Sequence, residues 1–245
     1  MLAVRGLSKT YAGGAAPALD GLDLTVRRGE IVGLLGPNGA GKTTAISMMS
    51  TLLRPTTGRV SICGTDAVAH PDRARRHFGT VPQEIALFDR LTAAENLTYF
   101  GRMYGLRGAG LKAAVQEGLR LVGLTARADE PVGTFSGGMK RRANLAAGIL
   151  HDPPLLFLDE PTVGIDAQSR HLIMESLMQL RETGVAMVYT THYMEEARQL
   201  FSRVAIIDHG RRLALDSPDA LLRQHPGCTD LDDLFLSLTG KQLRD

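Results

Sequence analysis

A glycine-rich loop, residues 36–44 (GPNGAGKTT), constrains the fold of this chain more than any other stretch of its sequence. The loop lies between an apolar run typical of a buried strand and a run typical of a helix. It fits the pattern G-x-x-x-x-G-K-[ST] through Gly36, Gly41, Lys42 and Thr43. A chance match is expected in fewer than about one chain in a hundred of this length. The context therefore predicts a phosphate-binding P-loop that follows a strand of an α/β fold.

Glycines in such a loop let backbone N–H groups turn inward around phosphate oxygens, and the helix that follows adds its dipole. We expect Lys42 to reach the β- and γ-phosphates, the Thr43 hydroxyl to hold Mg²⁺, and Thr44 to add a further donor. The predicted phosphate-binding residues are Gly36, Pro37, Asn38, Gly39, Ala40, Gly41, Lys42, Thr43 and Thr44.

A P-loop needs a second carboxylate to hold the metal ion, and the apolar run LLFLDE supplies one. Asp159 ends this predicted strand, at the edge where α/β sheets place their ligands, and is the candidate Mg²⁺ ligand. Glu160 beside it is the candidate base for an attacking water. Without a P-loop, an Asp-Glu pair after a strand is normally a helix cap or an exposed turn. With the P-loop upstream, the chance that this pair is only structural falls to about one in ten. A GTPase would carry an N-K-x-D loop, and the sequence has none.

Bulk composition limits the class of protein but does not choose its partner. With 245 residues, 44% hydrophobic and 22% charged, the chain can form one large α/β domain or two small ones. A net charge of +2 argues neither for nor against nucleic acid or an anionic membrane. Cys63 and Cys228 match no metal spacing. No apolar run approaches the roughly 20 residues that a spanning helix needs, so we expect no transmembrane segment and no signal peptide.

The hydrophobic pattern changes along the chain in a way that predicts its organisation. Short strand-like runs fill the first third, and a helical block follows, in which the glycine-rich stretch 107–110 separates two helices. Alternating strands and helices come next, with a hairpin at 203–215, and together they predict a mostly parallel sheet covered by helices. The tail places four apolar side chains at helical spacing, and that helix either packs on its own domain or contacts a second copy. These four predicted parts are 1–87, 88–153, 154–228 and 229–245.

Several further motifs resemble those of the nucleotide-binding subunit of an ABC transporter, over essentially the whole chain and in the same order. They are the signature loop in FSGGM, the glutamine loop in PQE, the D-loop in VGID, and the switch histidine in TTHYMEEA. The resemblance implies an ATPase with a P-loop NTPase core, an N-terminal antiparallel β-subdomain and an inserted α-helical subdomain. It also implies that ATP and Mg²⁺ are the cofactors.

Site residues follow from the resemblance position by position. Tyr11 would stack on adenine, and Gln83 would touch Mg²⁺ or the attacking water and sense the membrane partner. His192 would contact the γ-phosphate and hold Glu160 and the water in line. Asp166 would lie at the seam of a dimer.

The start of the helix after FSGG is unfavourable by itself. It opens with two glycines, each costing about 1 kcal/mol relative to Ala in a helix, and three cations then crowd its positive end. Such an end suits a phosphate. The resemblance implies that Ser136, Gly137 and Gly138 contact an ATP bound to a second copy of the chain. The commonest signature is L-S-G-G-Q, whereas Phe135 and Met139 flank S-G-G here.

Within the family, these stretches are most similar to exporters of drugs, antibiotics, lipids and polysaccharides whose permease is a separate polypeptide. This similarity implies a head-to-tail homodimer bound to a permease at the cytoplasmic face of the membrane, without direct contact to nucleic acid. Two other functions stay open: a soluble ABC ATPase acting on ribosomes or DNA, and a non-catalytic regulatory domain. The single set of motifs, and the roughly 90 residues between Lys42 and the signature, favour transport.

Overall fold

Two β-sheets and the helices around them form the fold in the computed structural model, which describes residues 1–14 and 16–240. Residues 241–245 of the predicted C-terminal segment lie outside the described residues. The strands are β1 (Leu2–Lys9), β2 (Leu19–Val26), β3 (Ile31–Leu35), β4 (Thr57–Ile62), β5 (Thr65–Asp66), β6 (Phe78–Val81), β7 (Leu155–Asp159), β8 (Ala186–Thr191), β9 (Arg203–Asp208) and β10 (Arg211–Asp216). The helices are α1 (Lys42–Met49), α2 (Pro71–Ala74), α3 (Ala93–Met103), α4 (Gly108–Leu121), α5 (Gly137–Ile149), α6 (Ala167–Glu182), α7 (Met194–Leu200), α8 (Pro218–Gln224) and α9 (Leu231–Thr239).

The first sheet is antiparallel, with its strands in the order β2-β1-β4-β5. Its strands turn apolar side chains inward and polar ones to solvent, as Leu2, Val4 and Leu7 of β1 show by being buried. This sheet confirms the predicted N-terminal antiparallel β-subdomain.

The second sheet has the order β10-β9-β3-β8-β7-β6 and is parallel except for β10, which pairs antiparallel with β9. Every residue of β3, β7 and β8 is buried, which explains why their sequences are almost continuously apolar. The predicted mostly parallel sheet and the predicted hairpin are both confirmed. Strand β6 was not predicted, because FGTV is too short to show a period and pairs only through β7.

Helix α1 lies between the two sheets, and one hydrophobic cluster joins its buried face to both of them. A second cluster covers the opposite face of the parallel sheet and includes residues of α3 to α9. The tail helix α9 buries Leu231, Leu234 and Phe235 in this cluster. Helix α9 therefore packs on its own domain, which is one of the two roles that the sequence left open.

Helices α3 and α4 confirm the predicted helical block, but the boundary between them differs from the prediction. The break between the helices lies slightly before the predicted stretch 107–110, because α3 ends at Met103 and α4 begins at Gly108, which has a φ of 56°. The chain first turns at Tyr104–Gly105, where Gly105 has a φ of 89°, and Arg107 is the extended N-cap. Glycine adopts a positive φ without steric cost, so Gly105 and Gly108 both belong to the turn between the helices. Within the described residues, no helix is both long and apolar enough to cross a membrane.

Candidate active site

The glycine-rich loop connects the end of β3 to the start of α1, in the strand-loop-helix context that its sequence predicts. The ammonium group of Lys42 donates to the carbonyl oxygens of Gly36 at 2.8 Å and Pro37 at 3.2 Å, so the lysine folds back over its own loop. Two positions require glycine. A Cβ on Gly36 would lie 2.3 Å from the Ile207 carbonyl oxygen, and Gly41 has a φ of 104°.

A cavity of about 170 Å³ opens at this loop, and residues from four separate stretches line it. Besides the loop, it takes in Gln83 after β6 and Glu160 after β7, both of which the sequence predicts as site residues. Its full lining is Ala18, Asn38, Gly39, Gly41, Lys42, Thr43, Thr44, Gln83 and Glu160. Topology explains the convergence of the loop, Gln83 and Glu160, because β3, β8, β7 and β6 are neighbours in the parallel sheet and end at the same edge.

Asp159 and Glu160 are held at that edge by Thr190 of β8. The Thr190 hydroxyl donates to Asp159 Oδ1 at 2.5 Å, and its Oγ1 accepts the Glu160 backbone N–H at 3.0 Å. Glu160 has a φ of 46°, which is unfavourable for a residue with a side chain by about 1–3 kcal/mol and typical of functional sites. Thr190 was not among the predicted site residues, although a hydroxyl residue near the end of a buried strand, two positions before His192, was a usable signal.

Glu160 lies between two groups that carry or accept positive charge. Its Oε1 is 3.5 Å from Lys42 Nζ and 3.4 Å from His192 Nδ1. Burial lowers the pKa of Lys42, and the nearby Glu160 carboxylate opposes that shift. The Nδ1 atom of His192 is buried and makes no hydrogen bond within the described part of the chain. A carboxylate, an ammonium group and an imidazole ring therefore meet around Glu160, which lines the cavity.

Gln83 lines the cavity from an exposed loop, and the backbone of that loop is hydrogen-bonded to α5. The Gln83 carbonyl oxygen accepts a hydrogen bond from the guanidinium of Arg141 in the first half of α5. The same guanidinium donates to the Val163 carbonyl oxygen at 3.4 Å, three residues after Glu160. Arg141 thus joins α5 to two of the four stretches that line the cavity.

The other two cations that crowd the start of α5 also have partners within the chain. Lys140 pairs with Asp89 at 2.7 Å, and Arg142 donates to the Val122 carbonyl oxygen at 2.7 Å beyond the end of α4. Together with Arg141 they form contacts that offset their unfavourable place near a positive helix end.

Ser136, Gly137 and Gly138 lie outside the cavity that the P-loop lines. Ser136 is the N-cap of α5 and accepts the Met139 backbone N–H at 3.2 Å. Ser136 and Gly137 are exposed. The N–H groups of the first helical residues have no partner inside a helix and remain available to an anion.

Gly138 and Asp166 are in direct contact inside the chain. A Cβ on Gly138 would lie 2.0 Å from Ser169 Oγ and 3.0 Å from Asp166 Oδ2. Asp166 is the exposed N-cap of α6 and accepts the Ser169 backbone N–H at 2.8 Å, a bond that lowers the pKa of its carboxyl. The signature loop and the D-loop are therefore packed against each other.

Tyr11 is 47% exposed and stands beside the P-loop helix. Its hydroxyl lies 3.4 Å from the Thr44 hydroxyl, and the ammonium of Lys9 lies 5.5 Å from the centre of its ring. An open aromatic face next to a phosphate-binding loop can stack on a nucleotide base.

Comparison with known proteins agrees with this geometry. A family model described as ABC transporter matches residues 19–163. The linearmycin resistance ATP-binding protein LnrL of Bacillus subtilis is 46% identical over 94% of this chain and 73% of its own length. The doxorubicin resistance ATP-binding protein DrrA of Mycobacterium tuberculosis is 40% identical over 99% of this chain and 71% of its own length.

Among solved structures, the chain is similar to the ATP-binding subunit of an ABC transporter, with a TM-score of 0.87, 32% identity, and coverage of 98% of this chain and 99% of that one. It is also similar to a dimeric ATP-binding cassette in a post-hydrolysis state bound to ADP and Pi, with a TM-score of 0.80, 28% identity, and coverage of 89% and 98%. The chain belongs to the ABC transporter family, and within it to the subunits that bind and hydrolyse ATP.

Proposed function

We propose that this chain powers export of a substrate through a separate membrane permease by binding and hydrolysing ATP. The contact of Glu160 with both Lys42 and His192 carries the catalytic part of the proposal, because it places a general base beside the phosphate-binding loop. Export is supported by relatives that are named for drug resistance, such as LnrL and DrrA, and by one that is named for Nod factor export.

ATP is proposed to lie along the P-loop, with its adenine on Tyr11 and its phosphates over Gly36–Thr44. Thr43, Gln83 and Asp159 are the proposed ligands of Mg²⁺. Their hydroxyl, amide and carboxylate oxygens are the hard donors that Mg²⁺ prefers. Thr43 and Gln83 line the cavity, and Asp159 is fixed beside it by Thr190. A bound Mg²⁺ would neutralise charge that develops on the phosphates. Glu160 would orient the water, and His192 would hold Glu160 in place.

The functional unit is proposed to be a head-to-tail homodimer. The exposed Ser136 and Gly137, at a helix N-terminus outside the chain's own cavity, support a contact with the γ-phosphate of ATP held by a second copy. Gly138 would help to hold Ser136 and Gly137 in place for that contact. The exposed Asp166 would lie at the seam between the two copies. Dimeric cassettes among similar structures also support this assembly.

The proposed location is the cytoplasmic face of a membrane, reached through the permease. We further propose that residues 88–153 act as one subdomain that carries the signature loop. The remaining parts, 1–87, 154–228 and 229–245, would form the nucleotide-binding core and its C-terminal segment. Co-fractionation with membranes only when the permease is present would support this assignment, and co-sedimentation with ribosomes would favour the soluble alternative.

Glu160→Gln tests the catalytic proposal. The amide keeps the shape of the side chain but removes the base, so ATP should still bind while hydrolysis falls by about 100-fold or more. We expect the variant to accumulate as an ATP-bound dimer in size-exclusion chromatography with light scattering. Glu175→Gln, on the exposed face of α6, is the matched control and should behave as wild type. Wild-type turnover by Glu160→Gln would refute the role of Glu160.

Ser136→Arg tests the assembly. A long cation in place of the cap should prevent approach of the second copy, so ATP should bind to monomers without driving dimerisation. Gln116→Arg adds the same side chain at an exposed position of α4 and should leave dimerisation intact. Unchanged ATP-driven dimerisation of Ser136→Arg would contradict the head-to-tail arrangement.

A further inference from the structure

A buried group of three polar side chains lies directly behind the hydrolysis site. It consists of Glu196 in α7, Thr162 after Glu160, and Tyr189 in β8, which are 2%, 1% and 0% exposed. We propose that Glu196 is a positioning residue for ATP hydrolysis, acting on Glu160 and His192 through the hydroxyls of Thr162 and Tyr189. This proposal depends on the roles proposed above for Glu160 and His192.

The three side chains form a closed triangle of polar contacts. The Thr162 hydroxyl donates to Glu196 Oε1 at 2.5 Å, and the Tyr189 hydroxyl donates to Glu196 Oε2 at 3.0 Å. The two hydroxyl oxygens lie 3.0 Å from each other. Each carboxyl oxygen of Glu196 thus has its own hydroxyl partner, and the triangle is satisfied as a unit.

Burial of a carboxylate in this place is unfavourable unless something else is gained. Within residues 1–14 and 16–240, Glu196 has no salt bridge, and the hydroxyls of Thr162 and Tyr189 are the hydrogen-bond partners of its side chain. Buried ionic groups are often less stabilising than apolar side chains of similar volume. A network kept in spite of that cost is therefore a candidate for fixing one arrangement of the segments it joins.

Those segments are the three that carry the hydrolytic end of the site. Thr162 lies two residues after Glu160, in the turn that leaves β7. Tyr189 directly precedes Thr190, which bonds both the Asp159 carboxylate and the Glu160 N–H. Glu196 stands in the first turn of α7, four residues after His192. The triangle therefore fixes the turn after Glu160 against the two segments on either side of His192.

Thr162→Val and Thr162→Ser separate positioning from packing. Valine keeps the volume but removes the donor to Glu196, whereas serine keeps the donor. For Thr162→Val we expect kcat of ATP hydrolysis to fall about 10-fold, equivalent to about 1.4 kcal/mol of transition-state stabilisation. The KM for ATP should stay within about 2-fold, because the binding surface is unchanged. Thr162→Ser should restore kcat.

Ser176→Ala is the control for loss of a buried hydroxyl. Ser176 is 2% exposed and donates to the carbonyl oxygens of Leu121 at 2.9 Å and Leu172 at 2.8 Å, away from the site. The variant Ser176→Ala should lower the melting temperature as Thr162→Val does, but its kcat should equal that of the wild type. Tyr189→Phe removes the second donor while keeping the ring, and it should lower kcat by a similar factor.

Each outcome decides the proposal. A drop of kcat in Thr162→Val and Tyr189→Phe, but not in Thr162→Ser or Ser176→Ala, supports it. Wild-type kcat in whichever of Thr162→Val and Tyr189→Phe folds, or an equal drop in Ser176→Ala, overturns it. Failure of the proposed function is recognised separately, because Glu160→Gln would then turn over ATP at the wild-type rate.

Discussion

The contact between Gly138 and α6 gives the sharpest prediction about the signature loop. The methyl group of Gly138→Ala would lie 2.4 Å from Ser169 Cβ, whereas ordinary contact begins at 3.4 Å. The starts of α5 and α6 must therefore separate by about 1 Å. Both contact atoms are attached to helices, so the strain cannot be relieved by rotating a flexible side chain.

Gly137→Ala is the natural control, because a Cβ at Gly137 meets nothing within 4 Å. Both substitutions replace glycine in the first turn of one helix, so the gain of about 1 kcal/mol in helix propensity largely cancels between them. The difference in unfolding free energy then isolates the steric cost, which for overpacking is about 1–3 kcal/mol. Gly138→Ala should be the less stable variant by that amount.

Urea unfolding followed by circular dichroism measures this difference, and ATP-driven dimerisation reports its functional effect. We expect Gly138→Ala to lose dimerisation as well, because it displaces the signature loop relative to Asp166. Adding Ser169→Gly should partly restore stability, giving a coupling free energy above about 0.5 kcal/mol in a double-mutant cycle. If the two alanine variants differ by less than about 0.5 kcal/mol, the packing argument is wrong.

Three further predictions concern pH, base stacking and the P-loop cation. Burial lowers the pKa of His151 below its ordinary value of 6.5, against a smaller opposing effect of its bond to the Phe78 carbonyl, so the unfolded state binds the proton more readily. The free energy of unfolding should be at its full value above about pH 6.5 and fall as pH decreases through the pKa of His151 in the folded state. Urea unfolding of His151→Gln should show a shallower fall, and an equal slope would contradict the role given to His151. Tyr11→Ala should weaken ATP binding by about 10-fold in calorimetry while Tyr11→Phe should not, since stacking on a base contributes about 1–3 kcal/mol. Lys42→Ala should reduce ATP hydrolysis by about 100-fold or more in a phosphate-release assay, and a smaller loss would show that the phosphates are held mainly by backbone groups.

Strand and helix positions were predictable where the local pattern is strong. The apolar runs of β3, β7 and β8 are continuous because both faces of the parallel sheet are covered, and their sequences show it directly. Strand β6 escaped prediction because its four residues owe their conformation to β7. The stretch 107–110 was predicted to separate two helices, and the break lies slightly earlier, at residues 104–107, with Gly108 in a left-handed conformation at the start of α4.

The candidate site divides in the same way. The P-loop, Asp159 and Glu160 were predicted from local motifs, and Gln83 and His192 from the resemblance to the family. The structure places Gln83 and Glu160 in the cavity lining and His192 beside Glu160. The sequence did not identify Thr190, Arg141 or the buried triangle around Glu196, whose partners are distant in sequence.

The sequence by itself thus determined the class of fold and the chemical groups of the site, because period, glycine placement and motif spacing are properties of neighbouring residues. Only the tertiary structure decided which groups touch. It set Glu160 between Lys42 and His192, gave the cations of α5 partners inside the chain, and packed Gly138 against Ser169 and Asp166. These contacts arise where three parallel strands end side by side and where α5 packs against α6. Strand order and helix packing depend on segments that are distant in sequence, so no single segment determines them.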